Sequence, residues 1–296
     1  MGANERTTEW LPHLSLCSGY GGLDLGLAGV LPDLRTLCYV EINIFNIQNL
    51  VTKMEQGYLD EAPIWTDVKT LPLGILRDIL GRECIISSGF PCQPFSTSGE
   101  RRGDQDPRHL WPYIKDAIRV IQPRWVWIEN VEGIVSARLK GDNWSDPEGT
   151  PVLLHVLREL ERLGYRAEAG IFSAEEVGLP HQRRRVFILA NSQRKCGEVS
   201  SARKLRTIKE SGSNGQTRGV VPSRPGEPQH AWEPPRAIHE VESSVGGSFD
   251  GTTRRMGYAE LCQSYDSRFD ELIALGNGVV PATASKAFLT LLERLQ

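Results

Sequence analysis

The sequence predicts an α/β protein with a doubly wound, mostly parallel sheet and a small loop-rich region attached to it. Three observations predict this. Short apolar strand candidates alternate with helical stretches from residue 14 onward. The strands read as continuous apolar runs, as they do when a sheet is covered on both faces. The first of them runs into a glycine loop that opens a helix.

The elements follow in order. Leu14-Ser15-Leu16-Cys17 is the first strand candidate, continued by Ser18-Gly19-Tyr20-Gly21-Gly22 and then by Leu23-Asp24-Leu25-Gly26-Leu27, which can open a helix. Residues 36–41 form a second strand and 44–54 a helical stretch. Glu83-Cys84-Ile85-Ile86-Ser87 is a buried-type strand that ends in a Gly-Pro loop. A helix over 113–121, marked at its end by Pro123, leads to the strand Trp125-Val126-Trp127-Ile128, with Glu129 and Asn130 at its carboxyl end. Apolar residues at Val152, Leu153, Val156, Leu157, Leu160 and Leu163 trace one face of a helix closed by Gly164. Residues 185–190 supply one more strand. From about 191 to 257 the composition turns to Ser, Gly, Arg, Pro and Glu without a clear period, which reads as a loop-rich insert or a linker. The chain recovers near Phe269-Asp270-Glu271-Leu272, and Pro281 opens a last helix through Ala287, Phe288, Leu291 and Leu292.

A length of 296 residues suits one substantial α/β core with a smaller appendage. No apolar run approaches the roughly 18 residues that a membrane span needs, and the first residues, Met1-Gly2-Ala3-Asn4-Glu5-Arg6, carry neither a signal core nor a myristoylation pattern. A cytoplasmic protein without a membrane association is expected. The six cysteines include no C-x-x-C pair, so neither a zinc site nor a dense disulfide framework is indicated and no metal is expected. A net charge of −3 argues against a protein that coats nucleic acid without specificity. That average hides an asymmetry: residues 191–256 hold eleven Lys and Arg against seven Asp and Glu, a mildly basic insert in an acidic body.

Two loops carry the chemistry. Gly19-x-Gly21-Gly22 lets backbone approach a cofactor closely, although alone it equally describes a tight turn. It departs from the dinucleotide fingerprint, which wants glycine where Asp24 stands, while Glu41 lies about twenty residues on, where an acidic side chain holds ribose hydroxyls. That combination favours a nucleoside cofactor without a pyrophosphate over a nicotinamide-dependent oxidoreductase. In Gly89-Phe90-Pro91-Cys92-Gln93-Pro94-Phe95-Ser96 a cysteine follows a buried strand and is bracketed by prolines that limit how the backbone bends. A free thiol, with a pKa of about 8.5, needs only modest activation to attack. Cys92 is therefore the nucleophile candidate, whereas Cys38, Cys84 and Cys262 read as small buried hydrophobes.

Gly19-x-Gly21-Gly22, Pro91-Cys92-Gln93, Glu129-Asn130-Val131, Gln182-Arg183-Arg184-Arg185 and Gly276-Asn277-Gly278-Val279-Val280-Pro281 together resemble the ordered motif series of the DNA cytosine-5 methyltransferases. The resemblance covers about residues 13–190 and 268–296. It implies a catalytic and cofactor-binding domain over 1–190 plus 268–296, with the variable target-recognition region over 191–267. It also implies S-adenosylmethionine as methyl donor and double-stranded DNA as partner, with a cognate restriction nuclease as a candidate partner and a monomeric enzyme.

The resemblance implies these roles residue by residue. Cys92 adds to C6 of cytosine, Glu129 faces N3 and the exocyclic amine, and Arg183 and Arg185 bring donors to the base carbonyl and a nearby phosphate. The target base must leave the stack to be reached. The basic stretch 100–108 would close on DNA. For the cofactor, Cys17, Gly19, Tyr20, Gly21 and Gly22 line the loop, Glu41 takes the ribose, Asp67 with Val68 the adenine edge, and Asn277 with Gly278 and Val279 the amino-acid end. Pro91 and Leu110 are secondary candidates. Two departures stand out: the family usually has an aromatic residue where Cys17 stands, and the block before the last motif has only Arg254-Arg255-Met256 and Arg268-Phe269-Asp270 as loose matches. An RNA cytosine-5 methyltransferase and a catalytically silent DNA-binding regulator are the rival readings; the long polar insert favours DNA, and the intact Cys92, Glu129 and Arg185 favour turnover.

Overall fold

A computed structural model describes residues 10–91, 110–139, 149–193 and 278–296. Cys92, Asn277, the basic stretch 100–108 and most of the insert, from 194 on, lie outside the described residues.

The chain begins with β1 (Leu11–Leu16), α1 (Gly22–Ala28), β2 (Leu34–Val40), α2 (Ile44–Glu55) and the short β3 (Ile64–Trp65). It continues through α3 (Leu73–Leu80), β4 (Ile85–Ser88), α4 (Trp111–Ile121) and β5 (Trp125–Val131). A two-residue hairpin, β6 (Arg138–Leu139) with β7 (Thr150–Pro151), precedes α5 (Val152–Arg162), β8 (Tyr165–Phe172), β9 (Arg185–Ser192) and the last helix α6 (Pro281–Leu295).

The main sheet has seven strands in the order β3-β2-β1-β4-β5-β9-β8. The first five pair in parallel, and β9 runs antiparallel to both β5 and β8. The doubly wound, mostly parallel fold thus stands as expected, with an antiparallel end that alternation of strands and helices does not reveal. The short β3, the β6–β7 hairpin and two longer elements were not expected from the sequence. The eight-residue β8 lacks an apolar run, and α3 lies in a stretch, Leu71-Pro72-Leu73-Gly74, that reads as a helix breaker. In addition, β9 runs two residues past 190: Asn191 faces Trp125 and Ser192 faces Tyr165.

The period of two along each strand divides the core into two layers. Leu14, Leu16, Ile86, Val126, Ile128, Val186 and Ile188 pack with α3, α4 and α5 on one face. Ile85, Trp125, Trp127, Phe187 and Leu189 pack with α1 and α6 on the other, where Trp127 stacks on Phe187 at 5.2 Å between ring centres and meets the edge of Phe288 at 5.3 Å. Beneath α1 this second face is polar: His13 is fully buried and bridges Thr36 Oγ1 on β2 at 2.9 Å and Ser87 Oγ on β4 at 2.8 Å. Burial without a charged partner in hydrogen-bond range drives the His13 imidazole down to about 3, so it stays neutral.

Candidate active site at the carboxyl ends of the strands

The parallel strands β1, β2, β4 and β5 end on one side of the sheet, where open α/β sheets place their ligands. β1 leads into a loop in which Cys17, Gly19 and Gly21 all adopt left-handed backbone, at φ 53°, 55° and 82°. Gly21 caps α1, and a Cβ there would stand 2.8 Å from Leu59 Cδ1, so both conformation and space call for glycine. A Cβ on Gly19 would meet nothing within 4 Å, which leaves that backbone open to an incoming group. The loop is held from β2: Glu41, at the strand end, accepts the Gly19 N–H at 2.7 Å with one oxygen and the Asn43 N–H at 2.8 Å with the other. A carboxylate has about four acceptor positions, so both oxygens can accept further donors.

Tyr20 connects this loop to the far end of the chain. Its hydroxyl donates to the Val279 carbonyl at 2.6 Å, and a Cβ on Gly278 would fall 1.8 Å from its ring. Gly22 lies under the same segment, with the Val279 oxygen 2.3 Å from where a Cβ would stand. The neighbouring Gly278 carbonyl accepts from Arg183, whose backbone is itself left-handed at φ 36°. Two consecutive carbonyls are thus gripped by side chains from opposite sides of the site.

On β5, Glu129 is buried with its Oε1 3.1 Å from Arg185 Nε at the start of β9. Strand pairing sets that meeting, since Arg185 faces Val131 across the antiparallel ladder. Burial pushes the Glu129 carboxyl up to about 7, against the opposing pull of Arg185 and then Arg183. The Arg185 guanidinium is lowered by burial in turn. A carboxyl that titrates near neutrality beside two guanidinium groups can hold or give up a proton at working pH. Gly89 stands against this group: a Cβ on it would be 3.4 Å from Glu129 Oε2. The next residue but one is Pro91, exposed, the last described residue before Cys92.

Cys17 behaves as a structural thiol, pushed up to about 12 by burial and then by the Glu41 charge, with Ser88 pulling the other way. Asp67 caps the 68–70 turn through the Lys69 N–H at 2.9 Å, while Val68 and Leu110 pack in the core layer of α3 and α4. The structure therefore brings Gly19, Tyr20, Gly22 and Glu41 together with Gly278, Val279 and Arg183, and sets Glu129 beside Arg185 and Arg183.

Four residues matter here that sequence reasoning did not assign. Asn130 holds the Phe90 carbonyl at 3.0 Å, Gly89 leaves room for Glu129, Ile42 stands 75% exposed directly after Glu41, and Lys53 is buried beneath Tyr20. A lysine on the apolar face of a helix and an isoleucine at a strand end were visible signals.

The family model for C-5 cytosine-specific DNA methylase matches residues 11–234. The chain is 32% identical to Type II methyltransferase M.NgoBV of Neisseria gonorrhoeae over 208 residues, 69% of this chain and 47% of that one. It is 32% identical to Type II methyltransferase M.NlaIV of Neisseria lactamica over 210 residues, again 69% of this chain and 47% of that one. It thus spans about half the length of these curated relatives. The solved S. pombe Dnmt2 methyltransferase aligns over 64% of this chain and 51% of its own at 23% identity, with a TM-score of 0.43. A family match that covers most of the chain, including both the glycine loop and the Glu129–Arg185 pair, leads to one conclusion: this chain belongs to the C-5 cytosine-specific DNA methylase family.

Proposed function

We propose that this chain transfers a methyl group from S-adenosylmethionine to C5 of a cytosine flipped out of double-stranded DNA, within a specific sequence. The observation that carries the reading is the placement of a near-neutral carboxyl, Glu129, against Gly89 at the entrance to the Pro91-Cys92 loop. Membership of the family and relatives named Type II methyltransferases support DNA as the substrate.

The residues fit the cofactor on structural grounds. The open backbone at Gly19, the Glu41 carboxylate at the end of β2 and the exposed apolar Ile42 beside it form a surface suited to a ribose and a flat base. Gly278 and Val279, with Asn277 before them, would hold the amino-acid end, and Asp67 with Val68 the adenine edge. When bound, the sulfonium supplies an electrophilic methyl group.

Cytosine C5 is a poor nucleophile until a thiolate adds to C6. In this reading Cys92, its thiol proton released to solvent, bonds to C6 as a thiolate while protonated Glu129 donates to N3, so the ring becomes an enamine. C5 would then take the methyl group as the thioether departs, water would remove the C5 proton, N3 would return its proton to the Glu129 carboxylate, and Cys92 would leave as a thiolate. Arg185 and Arg183 hold the base carbonyl and keep Glu129 from rising further. Residues 191–267 would read the DNA word, with the body of the chain over 1–190 and 268–296 carrying the reaction in the cytoplasm.

The test is incubation of the purified chain with labelled S-adenosylmethionine and parallel duplex DNA and RNA pools, mapping methyl groups at base resolution, with Cys92→Ala as control. Methylated cytosine at one short DNA motif, lost in the variant, is expected. Label confined to RNA, or an active variant, would reassign the substrate or the nucleophile.

A further inference from the structure

We infer that Lys53 is a positioning residue for cofactor binding, a buried cation that fixes the glycine loop against Gly278 and Val279; the inference rests on the reading of that loop as the cofactor site. Lys53 lies on the inner face of α2 between Leu50 and Met54 and is 1% exposed. A leucine or methionine would fill that place without taking an ammonium out of water. What the lysine adds is specific. Its Nζ donates to the Tyr20 carbonyl at 2.5 Å and sits 4.7 Å from the centre of the Tyr20 ring.

Tyr20 is the only described residue that bonds both Lys53 and the Val279 carbonyl. One side chain below the loop therefore fixes the peptide and the ring of the residue that holds the C-terminal segment from above. Gly278 cannot shift toward that ring, since the ring already fills the position of a Cβ there. Loosening Lys53 should let Tyr20 move, and with it the Gly19 N–H that Glu41 orients.

The acidic group whose charge acts on Lys53 is Asp24 in the first turn of α1, 2% exposed, which makes no ion-pair contact with it and stands 3.8 Å from His13 Nδ1. Burial pushes its carboxyl up to about 6, offset in part by Ser15 and by Lys53. Burial lowers the Lys53 ammonium to about 8, with Asp24 pulling it back up. The other titratable groups around the pair are His13 on β1, which stays neutral, Tyr20 itself, Tyr39 on β2, whose phenol burial raises, and Asp60 beyond α2, engaged by Arg35 and the Thr36 N–H. Between about pH 6 and 8 both members are charged. Above about 8 Lys53 becomes neutral and its cation–π hold on Tyr20 goes.

The test measures ligand affinity by calorimetry on the full chain from pH 6.5 to 9.5, in wild type, Lys53→Met and the charge-free pair Lys53→Met with Asp24→Asn. S-adenosylhomocysteine is one probe. The second is 5′-methylthioadenosine, which has no group titrating in this range. If only the protonated form holds the loop, wild-type affinity for the second probe falls about tenfold from pH 7 to 9. The paired variant binds about tenfold more weakly at pH 7 and shows no such slope. Its KM for S-adenosylmethionine rises while kcat at saturating cofactor stays within about twofold. A folded variant with wild-type affinity and slope overturns the inference. Should both variants fail to fold, a flat wild-type profile overturns it and the expected slope supports it. A wild type that binds neither probe sinks the cofactor reading along with this one, whereas normal binding that ignores Lys53 sinks this one alone.

Discussion

The side-chain amide of Asn130 donates to the backbone carbonyl of Phe90 at 3.0 Å, joining the end of β5 to the chain that runs into Pro91 and Cys92. Its other amide atom accepts the Val131 N–H at 2.9 Å. One buried side chain therefore sets where the loop departs relative to Glu129, its neighbour on the strand.

Asn130→Ala leaves the Phe90 carbonyl and the Val131 N–H without these partners. A buried polar group left unpaired costs about 1–3 kcal/mol, and a nucleophile displaced by about 1 Å loses on the order of a hundredfold in rate. Urea denaturation should show the first and single-turnover methyl transfer the second, with S-adenosylhomocysteine affinity unchanged. Full activity in Asn130→Ala would mean that the loop is positioned by other contacts.

In the proposed reaction, Glu129 is expected to shape the alkaline side of the pH profile. Its carboxyl is raised to about 7, so it is protonated below that pH and ionised above it. If the protonated form donates to cytosine N3, the Glu129 contribution to kcat/KM falls tenfold per pH unit above about 7, set against the rising thiolate fraction of Cys92 that the same reaction needs. Arg185 is the largest pull toward the ionised form, so Arg185→Ala should move that limb to higher pH even as the plateau drops. The sign for stability is the same group's other consequence. Between the ordinary 4.5 and about 7 the folded chain holds a proton that the unfolded chain has released, so this group's contribution to stability falls as pH rises through that window. Glu129→Gln should remove that slope in a series of melting curves, and an unchanged slope would reject the assignment.

Much of the frame was legible because interior strands of a parallel sheet are apolar on both faces. β4, β5 and the antiparallel β9 carry apolar runs, β1 interleaves His13 and Ser15 with its leucines and β2 carries Arg35 and Thr36, and Pro281 marks the start of α6. β8 has no such run: as the last strand of the sheet, half-buried, it carries Arg166 and Glu168 between its apolar residues, and only its pairing with β9 makes it a strand. The site divides along similar lines. Glu129, Arg185 and the glycine loop belong to contiguous motifs. The roles of Asn130 and Lys53 depend on partners 40 and 33 positions away, which no local pattern encodes.

Cys17 stands where the resemblance to the family implies an aromatic ring. It is half-buried, and its backbone already sits at φ 53°, so an aromatic side chain meets the same left-handed strain that the cysteine bears. Ring packing on adenine contributes roughly 0.5–1.5 kcal/mol. Cys17→Phe is therefore expected to tighten S-adenosylmethionine binding by about two- to tenfold in a titration. Equal or weaker binding would show that the pocket above the loop is closed to a ring.

Three glycines separate conformational strain from collision. Gly74, in the first turn of α3, has open space where a Cβ would stand and no left-handed backbone, so Gly74→Ala should stabilise the chain by about 0.4–1 kcal/mol through the unfolded state. Gly19 has the same open space but φ 55°; Gly19→Ala should cost about 1–2 kcal/mol from backbone strain alone. At Gly278 a Cβ would sit 1.8 Å from the Tyr20 ring, and neither the ring nor the segment can withdraw without breaking the Tyr20–Val279 bond. Gly278→Ala should therefore destabilise by about 1–3 kcal/mol as overpacking does and weaken cofactor binding. Tyr20→Phe removes the hydrogen bond to the Val279 carbonyl, about 0.5–1.5 kcal/mol. If the collision is what matters, Tyr20→Ala in the Gly278→Ala background should recover part of the lost stability. Losses that simply add would place the cost of the alanine in the backbone of residue 278 instead.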